Sequence, residues 1–145
     1  MRDENDFNAF LSKALRELQP QTYTLKMAEK YHIGIADFQM TRAGRNVTFE
    51  SKLLRDPLGH RATKLLKHPF TGPQLTYLRG QWRAGAKCFG VIGVDFTKVI
   101  HVIPLDELPS DGNWSPHEWA NVRSAKYSYD QIHAMADYMF NFCGG

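Results

Sequence analysis

The stretch GIADFQMTRAGRNVTFESK, residues 34–52, spans one strand-like run, IADFQM, and most of a second, NVTFESKLL, which ends at Leu54; TRAGR joins them. Apolar and polar residues alternate in both, and Ala43 and Gly44 supply the turn, so the segment predicts a β-hairpin. Side chains alternate faces along a strand, so Glu50 and Lys52 share one face and Ser51 takes the other. If residues near 37–40 pair with residues near 47–50, Asp37 on the first strand comes beside Glu50. Two carboxylates brought that close repel unless a cation lies between them, and oxygen ligands suit Mg²⁺ or Mn²⁺. Asp37, Glu50 and Lys52 therefore form a candidate site for metal-assisted attack of water on a phosphodiester. The competing reading is a solvated hairpin face with a structural salt bridge.

Outward from the hairpin, residues 3–18 place Phe7, Phe10, Leu11, Ala14, Leu15 and Leu18 at helical spacing, with acids in the first turn and Pro20 past the end. QTYTLKMAEK reads as a short strand or extended connection. Residues 53–71, LLRDPLGHRATKLLKHPFT, carry Arg55, Arg61, Lys64 and Lys67 against the single acid Asp56, and read as a long basic loop. Its position after the Glu50 strand makes those four side chains candidate DNA-backbone contacts, although a charged loop is also commonly just solvated. TGPQLTYLRGQWRA predicts a helix with Pro73 early and Gly85 at its end. CFGVIGVDF and VIHVIPL predict a second, more apolar hairpin near the sheet centre, turning at Thr97 and Lys98. SDGNWSPHEWANVRS is turn-rich, and YSYDQIHAMADYMFNF predicts a closing helix capped by Ser128.

The order of helix, strands, basic loop, helix, strands and helix predicts an α/β or α+β fold, one mixed sheet flanked by helices, in a single domain over residues 1–145. A chain of 145 residues, 43% hydrophobic and 12% aromatic, can bury one real core. The net charge of +3 is too mild to argue for nucleic acid by itself. No apolar run is long enough to cross a bilayer, and the start MRDENDFNAF lacks the pattern of a secretory signal, so a soluble cytoplasmic protein is expected. Cys88 and Cys143 have no metal-binding spacing and read as free thiols. Glu29 and His32 stand i, i+3 without a second such pair, and the remaining histidines form no ligand set.

The acid, the turn and the triplet Glu50-Ser51-Lys52 resemble the PD-(D/E)XK nuclease superfamily, with Ala36-Asp37 at the first motif. GIADF is similar to the opening found in Holliday-junction resolvase and VRR-NUC branches. HPFTGPQLTYLRGQWRAGAKCFGVIGVDFTKVIHVIPLDEL resembles the glutamine-bearing helix and two hydrophobic strands of RecU-type and archaeal resolvases. The match covers roughly residues 3–108, with motifs that are short and degenerate. It implies a restriction-endonuclease-like fold and a Mg²⁺- or Mn²⁺-dependent DNA endonuclease acting as a homodimer on branched DNA, host-encoded or from a phage. Asp37 and Glu50 would be metal ligands, Lys52 the catalytic lysine, and Gln74 the glutamine beside the site. An acid on the first helix would complete the metal site, with Glu4 first in line and Asp3, Asp6 and Glu17 open. Ala36 replaces the proline that names the superfamily, a change of backbone shape that removes no functional group. Flaps, ends or ordinary duplex remain alternative substrates, and a non-catalytic DNA-binding protein on this fold is the alternative of a different class.

Overall fold

A computed structural model describes residues 4–26, 36–54, 66–67, 70, 72–95, 97–108, 113–114 and 124–143. Helix α1 (Glu4–Arg16) leads to strand β1 (Tyr23–Lys26) and the predicted hairpin, β2 (Phe38–Arg42) and β3 (Arg45–Leu54). A two-residue strand β4 (Leu66–Lys67) precedes α2 (Gly72–Arg83). The second hairpin, β5 (Lys87–Val94) and β6 (Val99–Pro104), is followed by a 3-10 turn at Leu105–Glu107. Strands β7 (Asn113–Trp114) and β8 (Ala125–Ser128) and helix α3 (Ile132–Asn141) complete the order.

Six strands form one mixed sheet in the order β1-β2-β3-β5-β6-β8, while β4 and β7 pair separately. Only β3 and β5 run parallel in the large sheet; its other neighbours are antiparallel. This is the expected α+β arrangement. The first hairpin turns on Ala43 and Gly44, whose φ angles of 50° and 77° match the twist of the flanking strands. Its register pairs Phe38 with Phe49 and Met40 with Val47, as the placement of Asp37 near Glu50 requires.

Strand alternation divides the core into two layers. Phe38, Met40, Val47, Phe49, Phe89 and Val91 pack under α1 and α3 against Phe7, Leu11, Leu15, Met135 and Met139. Phe38 and Phe49 stack with ring centroids 4.8 Å apart. On the other face Cys88, Ile92, Val94 and Ile103 meet Leu75 and Leu78 of α2. Strand β5 is covered on both faces, which explains its nearly continuous apolar sequence.

Two close approaches fix the layers. A side chain on Gly93 would stand 2.8 Å from the Phe7 ring of α1, and one on Gly90 would stand 2.5 Å from the Phe70 ring. Each glycine admits an aromatic ring against the sheet.

Strand β3 runs through Leu54, the whole of the predicted run NVTFESKLL, and takes the two leucines that run shares with the basic-loop segment. Two expectations are corrected. Strand β8 was not foreseen. Ser128 ends that strand and does not cap α3, whose first flanking residue is Gln131. Instead, the Ser128 amide donates to Gln131 Oε1 at 2.9 Å across a tight turn. Tyr127 and Tyr129 are half-buried against the core: Tyr129 stacks on Phe10 at 5.3 Å, and Tyr127 meets Tyr138 at 6.1 Å.

Candidate active site

The faces of β3 decide what surrounds the triplet. Val47 and Phe49 point toward α1, so Ser51 continues that face; Glu50 and Lys52 point toward α2. Asp37 sits at the bend where the chain enters β2, one step beyond the Phe38–Phe49 pair and therefore opposite Glu50. From that bend it reaches both members of the triplet. The Asp37 amide donates to Glu50 Oε2 at 3.1 Å, and Asp37 Oδ2 accepts the Ser51 amide at 3.2 Å and the Ser51 hydroxyl at 2.9 Å.

Glu50 is 1% exposed in the centre of this group. Its Oε1 accepts from Gln74 Nε2 at 3.0 Å and lies 3.6 Å from Lys52 Nζ. Gln74 arrives from the first turn of α2, which its own buried Leu75 and Leu78 hold on the sheet. Beside Glu50 in the parallel register is Gly90, whose bare Cα lets the buried Phe70 ring close over this part of the sheet. The Glu50 carboxyl is pushed from an ordinary 4.5 to about 9, first by burial and next by the neighbouring Asp37 charge, with Lys52 opposing. A buried carboxyl facing a second carboxylate thus holds a proton at neutral pH when no other cation compensates it.

The donor set suits a hard divalent cation. It offers carboxylate oxygens, and Mg²⁺ binds through one or two carboxylates while keeping water and substrate phosphate in its remaining positions. Among the described residues no group of three His, Cys, Asp or Glu side chains converges.

The four residues singled out in the sequence as the chemical core, Asp37, Glu50, Lys52 and Gln74, come together. The first-helix acid is different. Glu4 opens α1 with its side chain outside the described residues, as is all of Asp3, while Glu17 lies at the far end of the helix beside Leu18 and His133. The side chain from α1 that does reach the site is Asn8, 7% exposed and hydrogen-bonded to Ser51. Sequence reasoning missed it, since a single Asn inside an amphipathic helix reads as surface. Its only signal was its place beside Phe7 at the edge of the apolar stripe. Arg55, Arg61 and Lys64 lie outside the described residues, and Lys67 is described only as part of β4.

Among the described residues the thiols and histidines bring no second centre. Cys88 is buried, and burial pushes its thiol up to about 12, so it is inert packing; Cys143 is exposed. No helix among the described residues is long and apolar enough to cross a membrane.

No protein-family profile matches the chain. No curated protein matches it either. Among solved structures, the chain is similar to Hjc of Archaeoglobus fulgidus, described as a Holliday junction resolvase from an archaeal hyperthermophile. The TM-score is 0.50 at 12% identity, and the match covers 92% of this chain and 91% of that one. At that identity the likeness establishes a shared fold, a mixed sheet flanked by helices.

Proposed function

We propose that this protein is a divalent-metal-dependent DNA endonuclease that hydrolyses phosphodiester bonds, with branched DNA as its preferred substrate. One observation carries the reading. Asp37 and the buried Glu50 face each other with Lys52 3.6 Å from the Glu50 carboxylate, an arrangement that is unfavourable unless a cation compensates it. The resolvase-like fold supports the substrate class.

In this reading Asp37 and Glu50 hold Mg²⁺ or Mn²⁺, with Glu4 as a further ligand. A divalent ion there supplies Lewis-acid stabilisation of phosphate charge and acidifies water. The remaining work belongs to the chain. Lys52, its side chain 15% exposed, places Nζ at the rim of the site, where it orients the attacking water and offsets charge growing on the phosphate oxygens. Gln74 fixes Glu50 by a neutral donor, so the carboxylate keeps its orientation whether or not Lys52 turns toward substrate. Water attacks phosphorus, the P–O bond to the leaving oxygen breaks, and that oxygen departs with a proton. Arg55, Arg61, Lys64 and Lys67 hold the DNA backbone.

Cutting two symmetric strands calls for a homodimer. Among the described C-terminal aromatics, Tyr138 meets Tyr127, Phe89 and Phe142 within the fold. The large apolar residues left exposed among those described are Tyr23 at 61% and Leu25 at 45%, which share a face of edge strand β1. Substrate class is tested by comparing cleavage of a four-way junction with cleavage of a duplex matched to its arms, both in Mg²⁺. Preferential junction cleavage is expected; equal cleavage of both removes the junction assignment and leaves a general endonuclease.

A further inference from the structure

Ser51 lies on the α1 side of β3, away from Glu50 and Lys52, yet it is the residue that holds Asp37. Its amide and its hydroxyl both reach Asp37 Oδ2, at 3.2 and 2.9 Å. The same hydroxyl also lies within donating reach of Asn8 Oδ1. Ser51 is completely buried and Asn8 nearly so, while Asp37 is half-buried.

Proton counting gives this contact a direction. A serine hydroxyl has one proton and can donate it once. With the Asn8 oxygen facing Ser51, two acceptors compete for that proton: given to Asn8, it leaves Asp37 Oδ2 with the Ser51 amide alone, and given to Asp37, it leaves the Asn8 and Ser51 oxygens in contact with no proton between them. With the Asn8 amide turned the other way, its NH₂ donates to Ser51 Oγ and the Ser51 hydroxyl donates to Asp37 Oδ2. The Ser51 hydroxyl then both accepts and donates, and Asp37 Oδ2 keeps two donors. The order is α1, β3, then the bend before β2.

We infer that Asn8 and Ser51 are positioning residues: a donor chain through the sheet that points a hydroxyl proton at Asp37 Oδ2 and leaves Oδ1 as the oxygen for a cation. Two donors on one oxygen fix the plane of the carboxylate, as partners behind a metal ligand commonly do. Anchorage is also mechanical. Asn8 follows Phe7, whose ring is seated over Gly93, so the position of α1 on the sheet sets the position of the donor. The inference deepens the proposed function and rests on its reading of Asp37 as a cation ligand.

The test is calorimetric titration of the full chain with Mn²⁺ alone, with urea midpoints measured in parallel. Wild type binds Mn²⁺ and Glu50→Gln does not, if the underlying reading holds. Ser51→Ala is expected to bind about 10- to 100-fold more weakly. Ser51→Thr keeps the hydroxyl and adds a methyl group in a filled space, so it is expected to be less stable than wild type yet to bind within about threefold of it. Asn8→Asp replaces the donor by an acceptor that takes the Ser51 proton for itself. It is expected to bind at least as weakly as Ser51→Ala.

Wild-type affinity in Ser51→Ala overturns the inference and leaves the metal site standing. So does unchanged or tighter binding in Asn8→Asp, or a Ser51→Thr affinity that falls with Ser51→Ala. Absence of Mn²⁺ binding by wild type overturns the metal site and the inference with it.

Discussion

Replacing Glu50 with glutamine is expected to stabilise the cation-free protein above neutral pH. In the folded chain the Glu50 carboxyl keeps its proton to about pH 9, against an ordinary 4.5, chiefly because it is buried and secondly because Asp37 is beside it. Between those two values the folded state binds a proton that the unfolded state has released, so stability falls as pH rises. The slope is about 1.4 kcal/mol per pH unit, which makes the wild-type loss about 4 kcal/mol between pH 5 and pH 8. Glutamine cannot ionise and has no such slope, but it disturbs the bonds from the Asp37 amide and Gln74, at a cost of about 1 kcal/mol. The two proteins should therefore be about equal at pH 5, and the variant more stable by about 4 kcal/mol at pH 8. Against a total stability of about 5–15 kcal/mol that is a large effect. Urea unfolding in EDTA at a series of pH values measures it. Mn²⁺ at 100 times its dissociation constant should return about 2.7 kcal/mol to the wild type and nothing to the variant. Parallel pH curves for the two proteins in EDTA would refute the reasoning, because Glu50 would then be ionising as it does in an unfolded chain.

Three further outcomes follow from other residues. His101 is held neutral, its pKa lowered to about 4 by burial and then by Lys126, so stability should fall as pH drops from 6.5 toward 4. His101→Gln should flatten that acid limb, by up to about 3 kcal/mol at pH 4, in the same unfolding series. Gly93→Ala drives a methyl group to 2.8 Å from the Phe7 ring and should cost about 1–3 kcal/mol, read as a lower urea midpoint. Gln74→Ala removes the neutral donor to Glu50 Oε1, which leaves the proton harder to displace. The pH of half-maximal Mn²⁺-dependent cleavage should move up by about one unit.

What could be read in the sequence followed from period and turn chemistry. The hairpin was legible because alternation, Ala43-Gly44 and the triplet agree on one register, and that register brings Asp37 to Glu50. Gln74 was legible only through resemblance; nothing local marks a glutamine in the first turn of a helix. Ser51 was assigned to the correct face, but its role was hidden because alternation treats Asp37 as a strand residue. Asp37 stands at a bend, from which its carboxylate reaches past Glu50 to the next residue. Asn8 was hidden for a different reason: helical spacing sorts residues into apolar and polar faces, and does not say which polar residue meets a buried hydroxyl on another element. Strand β8 was missed because its four residues follow a turn-rich segment and lie at the sheet edge, where pairing with β6 supplies what the local sequence does not.

The central claim is that Asp37, Glu50 and Lys52 cut DNA with the help of a divalent ion. The most direct measurement is cleavage of an end-labelled four-way junction by the wild type in Mn²⁺ and in EDTA, beside Glu50→Gln and Lys52→Ala in Mn²⁺. Nicking by the wild type in Mn²⁺ alone, with both variants folded, bound to the junction and unable to cut it, is the predicted result. Full cleavage by Glu50→Gln, or cleavage by the wild type that persists in EDTA, would contradict it.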